Sequence, residues 1–135
     1  MVRLRPGSYQ LTARTSQHAG GSYAFRLMDA SDAAEITVDT AVAATLTSPG
    51  TETDLYRIAL SAGQRLTLQD VTNTGGTYNA YLRLLDPFGV PVDGSSLLSA
   101  GKVFEAPIDG TYLVMLEAHP YEDPAKTISY GFTLG

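Results

Sequence analysis

A cluster of acidic side chains is the first feature of this chain that could do chemistry. Asp29, Asp32 and Glu35 stand within one short segment, among 14 Asp and Glu residues in the whole sequence. Calcium takes six to eight oxygen ligands from carboxylates and carbonyls, often on loops. We therefore predict a calcium site at these three residues. The alternative is a set of solvated loop carboxylates, since the spacing is not that of an EF-hand.

Catalytic groups are sparse in the sequence. The chain has no cysteine and two histidines, His18 and His119, which are far apart and fall in corresponding loops. It contains no Gly-x-Ser-x-Gly elbow and no His-Glu-x-x-His motif. Two of the acidic residues could converge to hydrolyse a glycosidic bond, but nothing in the sequence singles out such a pair. We therefore predict that the protein is not an enzyme and requires no cofactor.

Aromatic residues at loop edges are the better candidates for recognition. Tyr78, Tyr81 and Tyr121 flank turn-rich stretches, and Phe88 lies in another turn. Tyrosine presents a flat apolar ring with a polar tip, which suits a contact surface. We predict that the three tyrosines contact a ligand, either a protein or a polysaccharide. The alternative is ordinary packing at the edges of the fold.

Length and charge restrict the class of protein. The chain has 135 residues, 44% of them hydrophobic and 17% charged, which suits one ordinary globular domain. Its formal charge is −5 and it has no cluster of Lys or Arg, so we expect no nucleic-acid partner. No apolar run approaches the roughly 18 residues of a membrane helix, so we expect no membrane insertion.

Alternation of apolar and polar residues predicts the elements that must position these side chains. Apolar residues recur with period two in short segments such as 56–60, 82–84, 112–116 and 130–134. Turn residues separate these segments every eight to twelve residues or so, a spacing typical of all-β sandwiches and barrels. We predict an all-β fold, an antiparallel β-sandwich of jelly-roll type.

Several polar and small residues are expected to serve the architecture. Asp54 stands at a strand entrance beside Tyr56, where we expect its carboxylate to accept hydrogen bonds from turn amides. The alternative is a contact with a metal or a ligand. Asp86 begins an Asp-Pro-Phe-Gly sequence that fits a type I turn ending at Gly89. Gly110 opens the last predicted hairpin.

Two stretches of the chain resemble copies of one another. Residues 7–13 align with 110–116, and residues 22–27 align with 129–134. The tyrosines at matched positions of these copies are Tyr9 with Tyr112 and Tyr23 with Tyr130. Each is expected to bury its ring and extend its hydroxyl to a loop backbone.

This repeat predicts how the chain is divided. Residues 1–36 would be the closing hairpin of a preceding repeat plus a linker, and 37–135 a complete sandwich. The alternative is a fold permuted relative to the repeat. A lone hairpin is marginally stable in water. It would therefore need a sheet edge on this domain or on a second molecule, which makes a strand-exchanged dimer possible.

Five segments in order carry a family resemblance: residues 50–58, 62–66, 82–89, 106–112 and 130–134. Together they resemble the bacterial pre-peptidase C-terminal domain. That resemblance implies a compact jelly-roll sandwich found beside secreted proteases and as tandem units in bacterial surface proteins. It also implies an acidic segment before the first strand in calcium-binding members, and collagen binding among relatives in collagenases.

The resemblance leads to three functional hypotheses, all extracellular or at the cell surface. The first is a non-catalytic spacer, stabiliser or adhesion module whose partners are neighbouring domains of the same polypeptide. The second is a module that binds a protein fibre or a polysaccharide. The third is a domain appended to a secreted protease.

Overall fold

The computed structural model describes residues 7–12, 26–49, 51–94 and 96–135. Over these residues the chain forms nine strands and one short 3-10 turn at Ala30–Asp32. The strands are β1 (Ala34–Glu35), β2 (Ala41–Leu46), β3 (Thr53–Leu60), β4 (Arg65–Thr74), β5 (Ala80–Leu85), β6 (Ser96–Leu97), β7 (Val103–Glu105), β8 (Gly110–Ala118) and β9 (Ile128–Leu134). No helix in the described part of the chain is long and apolar enough to cross a membrane. The prediction of an all-β antiparallel sandwich is confirmed.

Two sheets make up the sandwich. The first has the strand order β1-β3-β8-β5-β6 and the second the order β2-β9-β4-β7. Every pair of strands is antiparallel except β1 with β3, which is parallel. β8 is the middle strand of the first sheet, and β9 is one of the two inner strands of the second.

The core lies between these two central strands. Tyr112, Val114 and Leu116 of β8 are fully buried, and Tyr130 and Phe132 of β9 are nearly so. Their period-two spacing sends alternate side chains to the inner face of each sheet. Burial of each large apolar side chain stabilises the fold by roughly 1.5–3 kcal/mol.

A second, smaller apolar cluster covers part of the outer face of the first sheet. Leu85, Leu113 and Met115 point away from the core and are buried beneath Ala33, with Ala30 packed beside them. The segment that leads into β1 therefore covers this half of the outer face. The half nearer the end of β8 carries the cleft described below.

The N-terminal part of the chain differs from expectation where it is described. Residues 7–12 form no strand, and Tyr9 and Leu11 are 57% and 68% exposed rather than buried. The other residues of the predicted hairpin, among them Tyr23, mostly lie outside the described residues. The division of the chain at residue 36 stays a prediction, although Ala34 and Glu35 already pair with β3.

Candidate functional site

Four aromatic rings gather at one end of the sandwich. His119 lies at their centre, with ring centroids 4.7 Å from Tyr78, 5.3 Å from Tyr81 and 5.3 Å from Tyr121. Tyr78 and Tyr121 are 45% and 81% exposed, while Tyr81 and His119 are half-buried. We call these four residues the tyrosine–histidine cluster. All three tyrosines predicted to contact a ligand belong to it.

Sheet topology brings these residues together. Ala80 at the start of β5 pairs with Ala118 at the end of β8, so Tyr81 and His119 lie at the same end of the first sheet. The loop before β5 supplies Tyr78, and the loop after β8 supplies Tyr121. The two loops must therefore be held side by side for the rings to meet.

Glu122 holds the two loops together. Its side chain lies in the β8–β9 loop, and Glu122 is only 5% exposed. One carboxylate oxygen accepts hydrogen bonds from the backbone N–H groups of Thr77 (2.8 Å) and Asp123 (3.1 Å). The other accepts from those of Tyr78 (2.7 Å) and Asn79 (3.1 Å). Three of these four donors belong to the opposite loop, so the carboxylate fixes the position of Tyr78 directly.

Electrostatics favour the charged form of this carboxyl group. Burial acts to raise the pKa of Glu122, but the four backbone N–H bonds outweigh it and lower the pKa below its ordinary value of 4.5. Gly76 makes the close approach possible, because a Cβ atom there would lie 2.7 Å from a Glu122 oxygen. The loop sequence and the buried carboxylate are therefore matched to one another.

An open cleft of about 530 Å³ adjoins the cluster. Tyr81, His119 and Pro120 line it on the cluster's side, and residues 51–53 and Pro49 line it beside β3. Thr53 and Tyr81 each pair with Glu117 on the central strand β8, so the three share one row across the outer face.

An ion pair lies in this cleft. Arg83 Nη2 donates to Glu117 Oε1 at 3.0 Å, and both side chains are about three-quarters covered. The pair places donors and acceptors beside the half-buried ring of Tyr81. A ligand in the cleft would meet an aromatic surface and a polar surface together.

Glu52, the third charged residue of the cleft, stabilises the loop at its edge. Glu52 accepts hydrogen bonds from the backbone N–H groups of Thr47 (2.6 Å) and Ser48 (2.9 Å). The bond from Ser48 is the main cause that lowers the pKa of Glu52, and Arg26 contributes as a nearby positive charge. This carboxylate therefore stabilises the loop between β2 and β3.

Two of the three acids predicted to bind calcium have other partners in the structure. Asp29 caps the 3-10 turn by accepting from Ser31 N–H (2.8 Å) and Oγ–H (2.7 Å), which lowers its pKa. Glu35 lies 3.5 Å from Arg57. Among the described residues, no group of three or more His, Asp or Glu side chains, Asp32 included, is placed to hold a metal ion. The geometry thus offers calcium no support at this segment.

Asp54 has a different partner from the one expected. Its Oδ2 accepts from the Tyr130 hydroxyl at 2.5 Å, instead of from turn amides. The Tyr56 hydroxyl lies 2.7 Å from that of Tyr130, and it must be the donor because the Tyr130 proton is directed to Asp54. Burial is the main cause that raises the pKa of both tyrosines. Tyr130 therefore bonds to side chains, and the prediction of a loop-backbone partner was wrong.

The remaining architectural residues behave as turn and corner residues. The hydroxyl of buried Tyr112 donates to the Ile108 carbonyl at 2.7 Å, so it reaches a loop backbone. Asp86 Oδ1 accepts from two backbone N–H groups of its turn, and Gly89 N–H bonds to the Asp86 carbonyl at 2.9 Å. Gly110 has φ 143° and its backbone lies against Pro87.

Sequence reasoning did not identify four residues of this site. His119 was assigned to a loop, and Glu122, Arg83 and Glu117 were given no role. The period-two pattern places Arg83 on the same face as Tyr81, which is the one signal that could have indicated the cleft. No local signal marks Glu122, because three of its four donors lie more than forty positions earlier.

Comparisons with known proteins indicate the fold. No protein-family model and no curated protein matches the chain. Among solved structures, it is similar to the pre-peptidase C-terminal domain of a collagenase from Bacillus anthracis, with 15% identity and a TM-score of 0.53 over 77% of this chain and 95% of that one. It is also similar to PliG of Aeromonas hydrophila, a periplasmic inhibitor of g-type lysozyme, with 14% identity and a TM-score of 0.53 over 76% of this chain and 96% of that one. At these identities the likeness concerns the fold alone.

Proposed function

We propose that this protein is a non-catalytic, extracellular β-sandwich module that binds an extended polymer, either a protein fibre or a polysaccharide. The observation that carries the proposal is the tyrosine–histidine cluster beside an open cleft. The extracellular placement rests on the sequence resemblance to the pre-peptidase C-terminal family.

Contiguity distinguishes the cluster from ordinary surface residues. Single exposed apolar side chains are normal on a soluble protein, whereas contiguous patches mark interaction sites. The three tyrosines present rigid rings with only two rotatable side-chain bonds each, so binding orders them at low entropic cost. Glu122 fixes the loops that carry the outer rings, which reduces that cost further.

A second candidate function is that of a spacer or adhesion unit between neighbouring domains of one polypeptide. The repeated hairpin sequence, 7–13 with 110–116 and 22–27 with 129–134, favours it because it indicates tandem copies. A domain appended to a secreted protease would share the same fold. The parent open reading frame distinguishes these two, since one contains adjacent repeats and the other an upstream catalytic domain.

A sedimentation assay tests polymer binding. The chain is mixed with insoluble collagen fibres, cellulose or chitin, and the fraction that sediments is measured. We expect binding to at least one polymer and a loss of about tenfold in affinity for the double variant Tyr78→Ala, Tyr121→Ala. Phe88→Ala is the matched control, because Phe88 is an exposed ring in the turn after β5, at the other end of that strand. Equal binding by both variants would refute the proposal.

A further inference from the structure

We infer that the cleft beside the tyrosine–histidine cluster binds an uncharged polysaccharide, an inference that rests on the proposed function. The occupant follows from the charges that line the cleft. Glu52, Arg83 and Glu117 are its charged residues, and each is engaged within the protein. Among the described residues that line the cleft, the one cation, Arg83, is paired, and the formal charges sum to −1. Arg26 lies beyond this lining and donates to the Thr53 carbonyl at 3.3 Å.

The charge of the whole chain argues in the same direction. A formal charge of −5 repels a polyanion at long range. Arg57, Arg65 and Lys102 each have a carboxylate partner elsewhere, and none of the three lines the cleft. An uncharged ligand meets neither the repulsion nor the cost of breaking an ion pair.

The chemistry of the walls matches a sugar ring on two sides. A pyranose has an apolar face of C–H groups and a rim of hydroxyl groups, so it needs a flat aromatic ring and adjacent hydrogen-bonding groups. Tyr81 and His119 supply rings, and Arg83 and Glu117 supply donors and acceptors beside them. Within the described residues Arg83 donates one hydrogen bond, to Glu117, so further guanidinium N–H groups remain for ligand hydroxyls.

The shape of the face also suits a chain of sugars. Thr53, Glu117, Tyr81 and Leu97 form one row across four neighbouring strands. At roughly 4.8 Å between strands the row extends about 14 Å, long enough for a short oligosaccharide. A protein fibre would instead need a large interface with an apolar centre, of about 800 Å² on each partner. An ion pair occupies that central position here.

Affinity electrophoresis tests the inference. The chain migrates through native gels that contain xyloglucan, galactomannan or laminarin as uncharged polymers, and polygalacturonate or heparin as polyanions. We expect retardation by at least one uncharged polymer, and a loss of about tenfold in affinity for Tyr81→Ala, because the ring of Tyr81 lines the cleft. The double variant Arg83→Met, Glu117→Met removes the ion pair and keeps the rings, and we expect a similar loss. Far-UV circular dichroism establishes that each variant is folded.

The outcomes separate this inference from the proposed function. Sedimentation with collagen that depends on the tyrosines, without retardation by any uncharged polymer, would overturn the inference and leave the proposed function standing. Retardation by polyanions alone would also overturn it. Unchanged retardation of the folded Arg83→Met, Glu117→Met variant would overturn the inference that the polymer lies in this cleft, because the ion pair would then make no contact with it. Binding to no polymer in either assay would overturn both proposals.

Discussion

Substitution of Glu122 by glutamine should loosen the end of the sandwich that carries the aromatic rings. Each oxygen of this carboxylate accepts two backbone N–H bonds, from Thr77 and Asp123 on one side and from Tyr78 and Asn79 on the other. In the amide, one oxygen becomes an NH₂ group that faces two donors. Two hydrogen bonds are then lost and two N–H groups are left without acceptors.

The magnitude follows from those two bonds. A hydrogen bond to a charged group contributes about 1.5–3 kcal/mol, so two of them at the lower value give a loss of about 3 kcal/mol in the free energy of unfolding. For a chain of this length that corresponds to a fall of about 10 °C in Tm. The protein remains folded if its stability lies within the usual range of about 5–15 kcal/mol. Urea denaturation followed by far-UV circular dichroism measures the change.

Acid provides an independent measurement of the same interaction. Because the pKa of Glu122 in the folded protein lies below its ordinary value of 4.5, its stabilising effect is complete above that value. The effect is lost as the pH falls through the folded pKa, so the difference between wild type and Glu122→Gln should shrink from pH 7 toward pH 3. Glu105→Gln is the control, since its carboxylate is exposed and lies 4.0 Å from Arg65. A loss below about 0.5 kcal/mol at pH 7, the range of ordinary surface substitutions, would refute the reasoning.

Three further predictions concern the core, a turn and calcium. Tyr130→Phe should destabilise the fold by about 1–3 kcal/mol, because Asp54 loses its hydroxyl donor; urea denaturation measures it, and additivity with Asp54→Asn would contradict the bond. Gly110→Ala should also destabilise, by about 1–3 kcal/mol, because φ is 143° and the new Cβ would lie 2.5 Å from Pro87 Cγ; an unchanged urea midpoint would contradict this. Calcium should leave Tm within about one degree of its value with chelator, whereas a bound ion would raise it by mass action.

The strands could be predicted from the sequence because each one sends alternate side chains into the core. Alternation in β8 and β9 follows from the pleat, and the buried residues Tyr112, Val114, Tyr130 and Phe132 occur at the expected parity. Turns such as the one at Asp86 were also predictable, because their hydrogen bonds join residues close in sequence.

Contacts between distant segments could not be predicted in the same way. Asp54 and Tyr130 meet because β3 and β9 lie in facing sheets, and no pattern within either strand encodes that pairing. His119 and Tyr78 meet because the loop after β8 and the loop before β5 lie at the same end of the first sheet. Candidate tyrosines were therefore identifiable as residues, whereas their assembly around a histidine depends on topology.

The central position of β8 and β9 has a consequence for synthesis on the ribosome. These two strands follow all the others along the chain, yet β3, β5, β2 and β4 each pair with one of them. The strands synthesised earlier therefore keep an unpaired edge until β8 and β9 are translated. Pairing between strands far apart in the sequence is slow. In a tandem array, a hairpin of similar pattern would already stand upstream. Selection should then favour sequence divergence between adjacent copies, because identical neighbours would exchange hairpins during translation.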